Sequence, residues 1–466
     1  MRPQLRTIAA IAAIALLSAA CSRSGSTSST SSTSSGAPAA STTPTAAAGD
    51  FGSLKGVCHG GSATGATDQG VTASQITAGV LTDEGFTHLP DLVNAAKVFT
   101  SWCNAAGGID GRKLVADVHD TQLLQVVQAM TAACGKDFTL VGNSEGLDGL
   151  AVKTRLSCLL PEFPAQTVMP QNLGSALQAY VLNWGHSYSP YAGYYRWLLQ
   201  QQYPDSAKHV AILYGQSPIT APLVAAEAAT IKAEGGSIAY NGVFPALGVA
   251  DWTPYAEAIK THDIKGFVFY GEYTQLISLE QVLTNMNYKL DWIDANSNAY
   301  GQPFIQLAGK SLAFQHNYAA LSGIYPLEKA SSNPADNQLV SLFAKYAPGQ
   351  PVTLQAVQAF SSWLLFAESA ETCGSNLTRK CVFDAALKQT AWNGGGLQAT
   401  VNLSQTNAPP PCYNVEEATP SGWVAAPFHP NSGSYACGGP VFKVQGSYWP
   451  SGASLSQVGK SLSDLK

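Results

Sequence analysis

Hydrophobic and polar positions follow two alternating rhythms along most of the chain. Residues 75–81 form a short run rich in apolar and β-branched side chains, and apolar residues then recur at helical spacing between 92 and 103. Gly107 and Gly108 end that helix. The same order predicts further strands at 114–118, 138–141 and 158–160 and helices at 124–133 and 147–156. A repeat of roughly 30 residues is typical of βαβ units in a parallel sheet.

A second alternating series follows the first. The strands that it predicts are 209–214, 238–244, 266–270 and 292–294. The helices that it predicts are 191–203, 222–234, 255–260 and 276–286. Two successive series predict two lobes rather than one large sheet, and a long helix is expected at 354–370. Ligands of open α/β sheets bind beyond the carboxyl ends of the strands, so the loops of interest are 82–88, 142–146, 185–189, 215–218, 271–274 and 294–298.

The first residues of the chain have the pattern of an export signal. Arg2 and Arg6 precede ten apolar residues at 8–17, which are too few to span a bilayer and suit the core of a signal peptide. Small residues then lead to Cys21, as in a bacterial lipobox, so we expect Cys21 to be lipidated and to become the mature N-terminus. An ordinary secretory signal, with Cys21 incidental, is the alternative. Residues 22–50 are almost entirely Ser, Thr, Ala, Gly and Pro and predict a flexible tether.

The cysteine count agrees with export. Nine cysteines less the lipid anchor leave eight, and an even number in an oxidising compartment predicts four disulfides. The sequence alone does not fix their connectivity, and the simplest arrangement joins nearest neighbours, as Cys58–Cys103, Cys134–Cys158, Cys373–Cys381 and Cys412–Cys437. Zinc is the competing interpretation, but the chain contains no C-x-x-C or H-E-x-x-H spacing, so we expect no metal.

Composition and charge exclude two classes of partner. With 466 residues, of which 45% are hydrophobic, the chain can bury a large core. Charged residues make up only 12%, and 25 basic against 30 acidic side chains give a net charge of -5. Such a chain lacks the basic surface that phosphate backbones require, so a nucleic acid partner is not expected. The only long apolar run is at the N-terminus, which excludes a polytopic membrane protein.

Several segments, taken in order, resemble one known family. A glycine-rich turn at 107–114 connects an amphipathic helix to a strand, 208–214 forms a later strand, 251–254 opens a helix, and 266–271 forms another strand. In this order and spacing they resemble the leucine/isoleucine/valine-type solute-binding proteins of ABC transporters. The resemblance covers about 70–325 well and 350–445 more loosely.

The resemblance implies a two-lobed α/β periplasmic-binding-protein (Venus-flytrap) fold, with each lobe a mainly parallel sheet flanked by helices. Such a protein closes on a small ligand and passes it to an ABC permease in the membrane, without chemistry and without a cofactor. An amino acid or related small polar solute is the expected ligand. The expected boundaries are 1–20 for the signal peptide, 21–50 for the lipidated cysteine and tether, 51–183 and 325–405 for the N-lobe, and 184–324 and 406–466 for the C-lobe with its tail.

The resemblance also suggests where ligand contacts lie. The loop after the third strand holds the ligand carboxylate in amino-acid-binding members; here it offers a single hydroxyl and a carboxylate, which favours an amide, urea-like solute, polyol or cation over a simple amino acid. Each candidate has a plain structural alternative as a helix cap, core residue or solvated acid. The candidate ligand contacts are Asn143, Ser144, Glu145, Ser187, Tyr188, Ser189, Glu272, Tyr273, Asp294, Asn296 and Asp83.

Two other functions have some support in the sequence. Residues 142–146 read G-x-S-x-G between a strand and a helix, the context of a hydrolase nucleophile. His59 begins a segment that resembles an oxyanion loop, and Asp294 and His316 could complete a triad with Ser144. The pattern is short, and His59 follows the tether with no strand before it, so a secreted serine hydrolase is the weaker hypothesis. A ligand sensor that signals to a membrane partner is the alternative among binding proteins.

Overall fold

The computed structural model describes residues 48–182 and 186–466. The predicted signal peptide, the lipidation of Cys21 and nearly all of the predicted tether lie outside the described residues, as does the expected lobe boundary at 183–184. Within the described ranges, no helix is both long and apolar enough to cross a membrane.

The first lobe is built on a parallel sheet of four strands. They are β1 (Gln75–Thr82), β2 (Lys113–Asp120), β3 (Thr139–Val141) and β4 (Glu162–Phe163), in the order β2-β1-β3-β4. The helices between them are α1 (Glu84–Thr87), α2 (Asp91–Ala106), α3 (Val126–Lys136) and α4 (Asp148–Ser157). The predicted βαβ alternation and parallel sheet of this half of the chain are therefore confirmed.

The second lobe is built on a sheet of seven strands. Its parallel part consists of β5 (Val210–Gln216), β6 (Ile238–Pro245), β7 (Gly266–Tyr270), β8 (Trp292–Asp294) and β9 (Asn317–Ala320). The accompanying helices are α5 (Ala192–Arg196, which continues as a π-helix over Trp197–Gln202), α6 (Thr220–Ala233), α7 (Thr253–Thr261), α8 (Tyr273–Asn285) and α9 (Gln302–Ala308). Two separate sheets fulfil the expectation of two lobes.

The chain then returns to each lobe in turn. Helices α10 (Pro334–Tyr346), α11 (Leu354–Cys373) and α12 (Arg379–Leu387) belong to the first lobe, where α11 packs on α2, β3 and β4. Most of α11 is buried, and Trp363 stacks on Phe99 of α2 with ring centroids 5.6 Å apart. The remaining strands are β10 (Cys412–Tyr413), β11 (Val415–Thr419), β12 (Gly422–Ala425) and β13 (Ala436–Cys437). Strand β11 joins the second sheet antiparallel to β9, and β12 pairs antiparallel with β11, giving the order β12-β11-β9-β8-β7-β5-β6.

The eight cysteines of the described chain lie in four disulfide pairs. These are the nearest-neighbour pairs of the simplest arrangement, Cys58–Cys103, Cys134–Cys158, Cys373–Cys381 and Cys412–Cys437. Each closes a short stretch within one region of the fold, and the last joins β10 to β13.

One predicted strand is wrong. Residues 158–160 form the turn that ends α4, in which Leu159 has a φ of 54° and the Leu160 N–H donates to the Arg155 carbonyl. The apolar run is buried as a helix end rather than as a strand, and β4 begins two residues later. A short apolar run does not distinguish a strand from the end of a helix, because both bury the same side chains.

Candidate functional site

A cavity of about 140 Å³ lies between the two lobes. It is bounded by the loop after β4 and the start of α11 in the first lobe, and by α6 and the loops after β7, β8 and β9 in the second. Engineered cavities of about 150 Å³ accept a molecule the size of benzene. The lining residues are Gln166, Thr167, Val168, Leu173, Tyr188, Ser189, Pro190, Tyr191, Leu223, Ala226, Glu227, Tyr270, Asn296, Ser297, Asn298, Leu321, Ser322, Leu354, Gln358, Val444 and Trp449.

The two lobes touch beside this cavity. The Gln166 side-chain amide of the first lobe donates to Asn298 Oδ1 of the second at 3.1 Å and to Gln358 Oε1 at 2.7 Å. Ile219, at the start of α6, packs beside Leu123 against a core cluster of the first lobe. Side chains of both lobes are therefore in contact next to the cavity.

Two buried carboxyl groups belong to the second-lobe side of the cavity, where Glu227 lines it and Asp294 does not. Glu227 projects from α6 and accepts a hydrogen bond from the Tyr270 hydroxyl at 2.8 Å. Asp294, at the end of β8, accepts from the Tyr195 hydroxyl at 2.7 Å and from the Asn296 N–H at 3.0 Å. Burial raises the pKa of both carboxyl groups, and the charge of Asp294 raises that of Glu227 further.

Three of the sequence candidates line the cavity. Tyr188 and Ser189 contribute from the segment before α5, and Asn296 contributes from the loop after β8, where its side chain accepts from the Asn298 N–H. Asp294 lies directly behind Asn296 and holds that loop. Ser187 is not a lining residue, because its hydroxyl accepts from the Asn407 side chain.

The candidates after the third strand do not line the cavity. Asn143 and Glu145 are buried inside the first lobe, where the Asn143 amide donates to Glu145 Oε2 at 3.3 Å and to Glu162 Oε1 at 2.9 Å. Burial, together with Asp148 and Glu162 nearby, raises the pKa of Glu145. Ser144 donates its N–H to the carbonyl of Leu81, which continues the parallel pairing of β1 beyond the end of β3.

Asp83 connects three loops at the edge of the first sheet. Its carboxylate accepts from the Thr121 hydroxyl, from the Leu123 N–H at 3.0 Å and from the Gly146 N–H at 2.6 Å. It is buried and does not line the cavity.

Replacement of Asp83 with Ala should therefore lower the free energy of unfolding by about 2 kcal/mol, because a charge-assisted network is lost and buried N–H groups lose their acceptor. Urea unfolding measures the change. The exposed Asp120→Ala variant removes two loop hydrogen bonds without burial and serves as the control. Equal losses in the two variants would contradict this role of Asp83.

Glu272 and Tyr273 lie apart from this cavity. Glu272 is exposed at the start of α8, whereas Tyr273 packs edge-on against Phe304 and lines a second cavity of about 190 Å³ between α2, α8 and α9. The Asp91 carboxylate in this second cavity accepts from the Thr353 hydroxyl. These two candidates are therefore not brought together with Asn296.

The residues of the hypothetical triad are held by other groups. Asp294 is bonded to Tyr195, and His316 pairs with Glu417 at 2.7 Å. His59 likewise pairs with Glu371 at 2.6 Å. Ser144 thus has neither a histidine base nor an orienting acid among these contacts.

One cluster has the side-chain types of a metal site. Asp117 and His119 of β2 and Asp137 before β3 bring three potential ligand atoms within 4.8 Å of one another. Lys136 Nζ lies 2.5 Å from Asp117 Oδ2, and His119 Nε2 lies 2.7 Å from Asp137 Oδ2. Each carboxylate of the cluster thus already has a nitrogen partner within the chain.

A C-terminal segment adds two lining residues. Residues 442–444 pair with 187–189, with the Val444 N–H donating to the Ser187 carbonyl at 2.8 Å. Ala453 then exchanges backbone hydrogen bonds with Gln171 and Ala176 of the first lobe. Between these contacts, Trp449 lines the cavity and its Nε1 donates to the His186 carbonyl at 2.5 Å. We call residues 442–453 the strap.

Sequence reasoning missed several lining residues. Glu227 lies within an ordinary helical pattern, and Gln166, Gln358 and Trp449 lie outside the strand-end loops that it singled out. Tyr270 had a signal as the last residue of a predicted strand, and Ser297 and Asn298 had one because they lie in the predicted loop 294–298.

Comparisons with known proteins agree with this architecture. Among solved structures, the chain is similar to a fatty acid ABC transporter substrate-binding protein from Thermomonospora curvata, with a TM-score of 0.65 and 16% identity over 85% of this chain and 100% of that one. It is also similar to the branched-chain amino acid transporter substrate-binding protein LivJ from Streptococcus pneumoniae in complex with isoleucine, with a TM-score of 0.58 and 16% identity over 80% and 100%.

A third similar structure is an ABC transporter solute-binding protein from R. palustris in complex with benzoate, with a TM-score of 0.60 and 13% identity over 80% of this chain and 99% of that one. At these identities the likeness shows the fold. No curated protein sequence matches the chain. The family profile described as periplasmic binding protein matches residues 75–422, which include the first sheet and all strands of the second sheet except most of β12. This chain therefore belongs to the periplasmic binding protein family.

Proposed function

We propose that this protein is the extracytoplasmic solute-binding component of an ABC importer, and that it binds a small organic solute in the cavity between its lobes without changing it. The observation that carries the proposal is the cavity itself, which both lobes line and which closes where Gln166 meets Asn298. A ligand there contacts both lobes at once and so stabilises their association.

The similar structures support a solute-binding role but do not point to a single ligand. One is named as a fatty acid binder and the others are complexes with isoleucine and benzoate, which differ in size and polarity. The cavity of this chain is small and largely apolar, with amide and hydroxyl groups from both lobes. Such a lining suits a compact organic molecule with a few polar groups.

The location follows from the sequence. A signal peptide, lipidation of Cys21 and a tether would hold the binding lobes just outside the membrane, within reach of an ABC permease. Four disulfides fit an oxidising compartment, and the cysteine pairs in the structure agree with them. Labelling of Cys21 with a fatty-acid analogue in cells, absent from Cys21→Ser, tests the anchor.

Solute binding is tested by thermal unfolding against amino acids, amides, amines, sugars and small carboxylates. A ligand that binds only the folded state at 100-fold its Kd raises the free energy of unfolding by about 2.7 kcal/mol. Gln358→Ala should weaken the binding of such a ligand about tenfold, because Gln358 lines the cavity and holds Gln166 in place. Gln306→Ala, an exposed change on α9, should leave binding unchanged.

The same assay separates the receptor from the hydrolase. Ser144→Ala should bind the ligand as tightly as the native chain, and neither protein should turn over esters, because Ser144 is outside the cavity. Ester hydrolysis that disappears in Ser144→Ala would contradict the proposed function.

A further inference from the structure

The side chains that line the cavity include an acidic group but no basic one. Among the described residues that line it, none is Lys, Arg or His, and Glu227 is the one carboxylic acid. Glu227 is only 3% exposed. Its carboxylate accepts a hydrogen bond from the Tyr270 hydroxyl. Within the described part of the chain, Glu227 forms no ion pair with a basic side chain. A buried acid is normally neutralised by a partner or by uptake of a proton.

Two backbone donors of the loop after β4, which borders the cavity, are already used by the chain itself. The N–H groups of Val168 and Met169 donate to the Asp148 carboxylate at 2.9 and 2.8 Å. These two N–H groups are therefore not free to hold a ligand carboxylate.

Aromatic side chains make up much of the remaining wall. Tyr188, Tyr191, Tyr270 and Trp449 all line the cavity, and Tyr270 also contacts Glu227. The faces of such rings carry partial negative charge and attract cations, most strongly when the cation is desolvated. The aromatic rings and Glu227 therefore both favour a positively charged ligand.

We propose that the cavity between the lobes binds an organic cation with a compact apolar body, an amine or a quaternary ammonium, whose charge lies beside Glu227 and the tyrosines, and that it does not bind carboxylates. The inference rests on the proposed function and names the class of its solute. The ligand supplies the positively charged partner that Glu227 lacks, and its apolar body fills the space between Leu223 and Leu354.

The proposal predicts that binding of a permanent cation strengthens with rising pH. Burial and the neighbouring charge of Asp294 raise the pKa of Glu227, so the empty site holds a proton that the cation must displace. The groups that face Glu227 are Asp294 at the end of β8, Tyr270 on β7, Tyr194 and Tyr195 on α5, and Tyr191 just before α5, all acidic or neutral. Affinity should therefore increase from about pH 6 to about pH 9, as Glu227 ionises.

The experiment uses two sets of probes matched in size. Choline is compared with its uncharged carbon analogue, 3,3-dimethyl-1-butanol, and with the carboxylate of that analogue, 3,3-dimethylbutanoate. Benzylamine is compared with benzyl alcohol and benzoate. Affinities are measured by calorimetry for the native chain, Glu227→Gln and Glu257→Gln. The last change is on the exposed side of α7 and is the matched control.

At least one cation should bind tenfold or more tightly than its uncharged and anionic counterparts. That preference should fall at least tenfold in Glu227→Gln, lose its pH dependence there, and persist in Glu257→Gln. Tighter binding of the carboxylates, or an unchanged preference in a folded Glu227→Gln protein, would overturn the inference while leaving the proposed function intact. If no compound of the wider solute screen stabilises the protein, both the inference and the proposed function fail.

Discussion

Replacement of Arg155 with Met should lower the free energy of unfolding by about 3–5 kcal/mol, the usual effect of breaking a buried ion pair from one side. The Arg155 side chain on α4 is fully buried, with its Nε 3.5 Å from Glu162 Oε2. Its guanidinium also donates to the Ser175 hydroxyl at 2.6 Å and to the Ala176 carbonyl at 3.0 Å. Met fills similar volume but leaves these acceptors unpaired and Glu162 without a cation.

Urea unfolding followed by circular dichroism measures this loss. Lys153→Met, two residues earlier on the exposed side of the same helix, is the matched control and should change stability by less than about 0.5 kcal/mol. Arg155→Met combined with Glu162→Gln should recover part of the loss, since the second change removes the uncompensated charge. A loss below about 1 kcal/mol for Arg155→Met would contradict the role that we assign to the pair.

Trp449→Ala should weaken ligand binding about 100-fold, which corresponds to about 3 kcal/mol and is typical of truncating an aromatic anchor in an enclosed site. Trp449 both lines the cavity and is fixed by its hydrogen bond to the His186 carbonyl. Its loss opens the cavity on the side of the strap. Calorimetry with the tightest ligand of the solute screen measures the change, at a temperature where the variant is folded.

Tyr448→Ala is the control for this prediction. Tyr448 is also half-buried and precedes Trp449 in the strap, but it does not line the cavity, so its removal should change affinity less than about threefold. If the two variants weaken binding equally, the strap acts through the stability of the lobes and not through contact with the ligand.

The strap lies outside the part of the chain that the family profile matches, which ends at residue 422. It pairs with 187–189 near the second lobe and with Gln171 and Ala176 in the first. Val444 and Trp449 of the strap, which line the cavity, therefore lie beyond the residues that the family profile matches.

The sequence predicted the elements well where local periodicity determines them. Strands such as β7 and helices such as α2 follow from the spacing of apolar residues over one or two turns, and that spacing is a property of adjacent positions. The turn after α4 was mistaken for a strand because a three-residue apolar run has no period. The nearest-neighbour cysteine pairing matches the structure because the paired cysteines belong to elements that follow one another in the chain.

The sequence by itself determined the family architecture: two α/β series and candidate loops at the strand ends. Only the tertiary structure decided which polar groups line the cavity between the lobes. Asp83 and Glu145 were expected at the site but are used inside the first lobe, whereas Glu227 in the middle of α6 reaches the cavity. A side chain's direction depends on which face its helix packs against the sheet and on which loops meet across the lobes. Those contacts join residues far apart in the chain, and no local pattern records them.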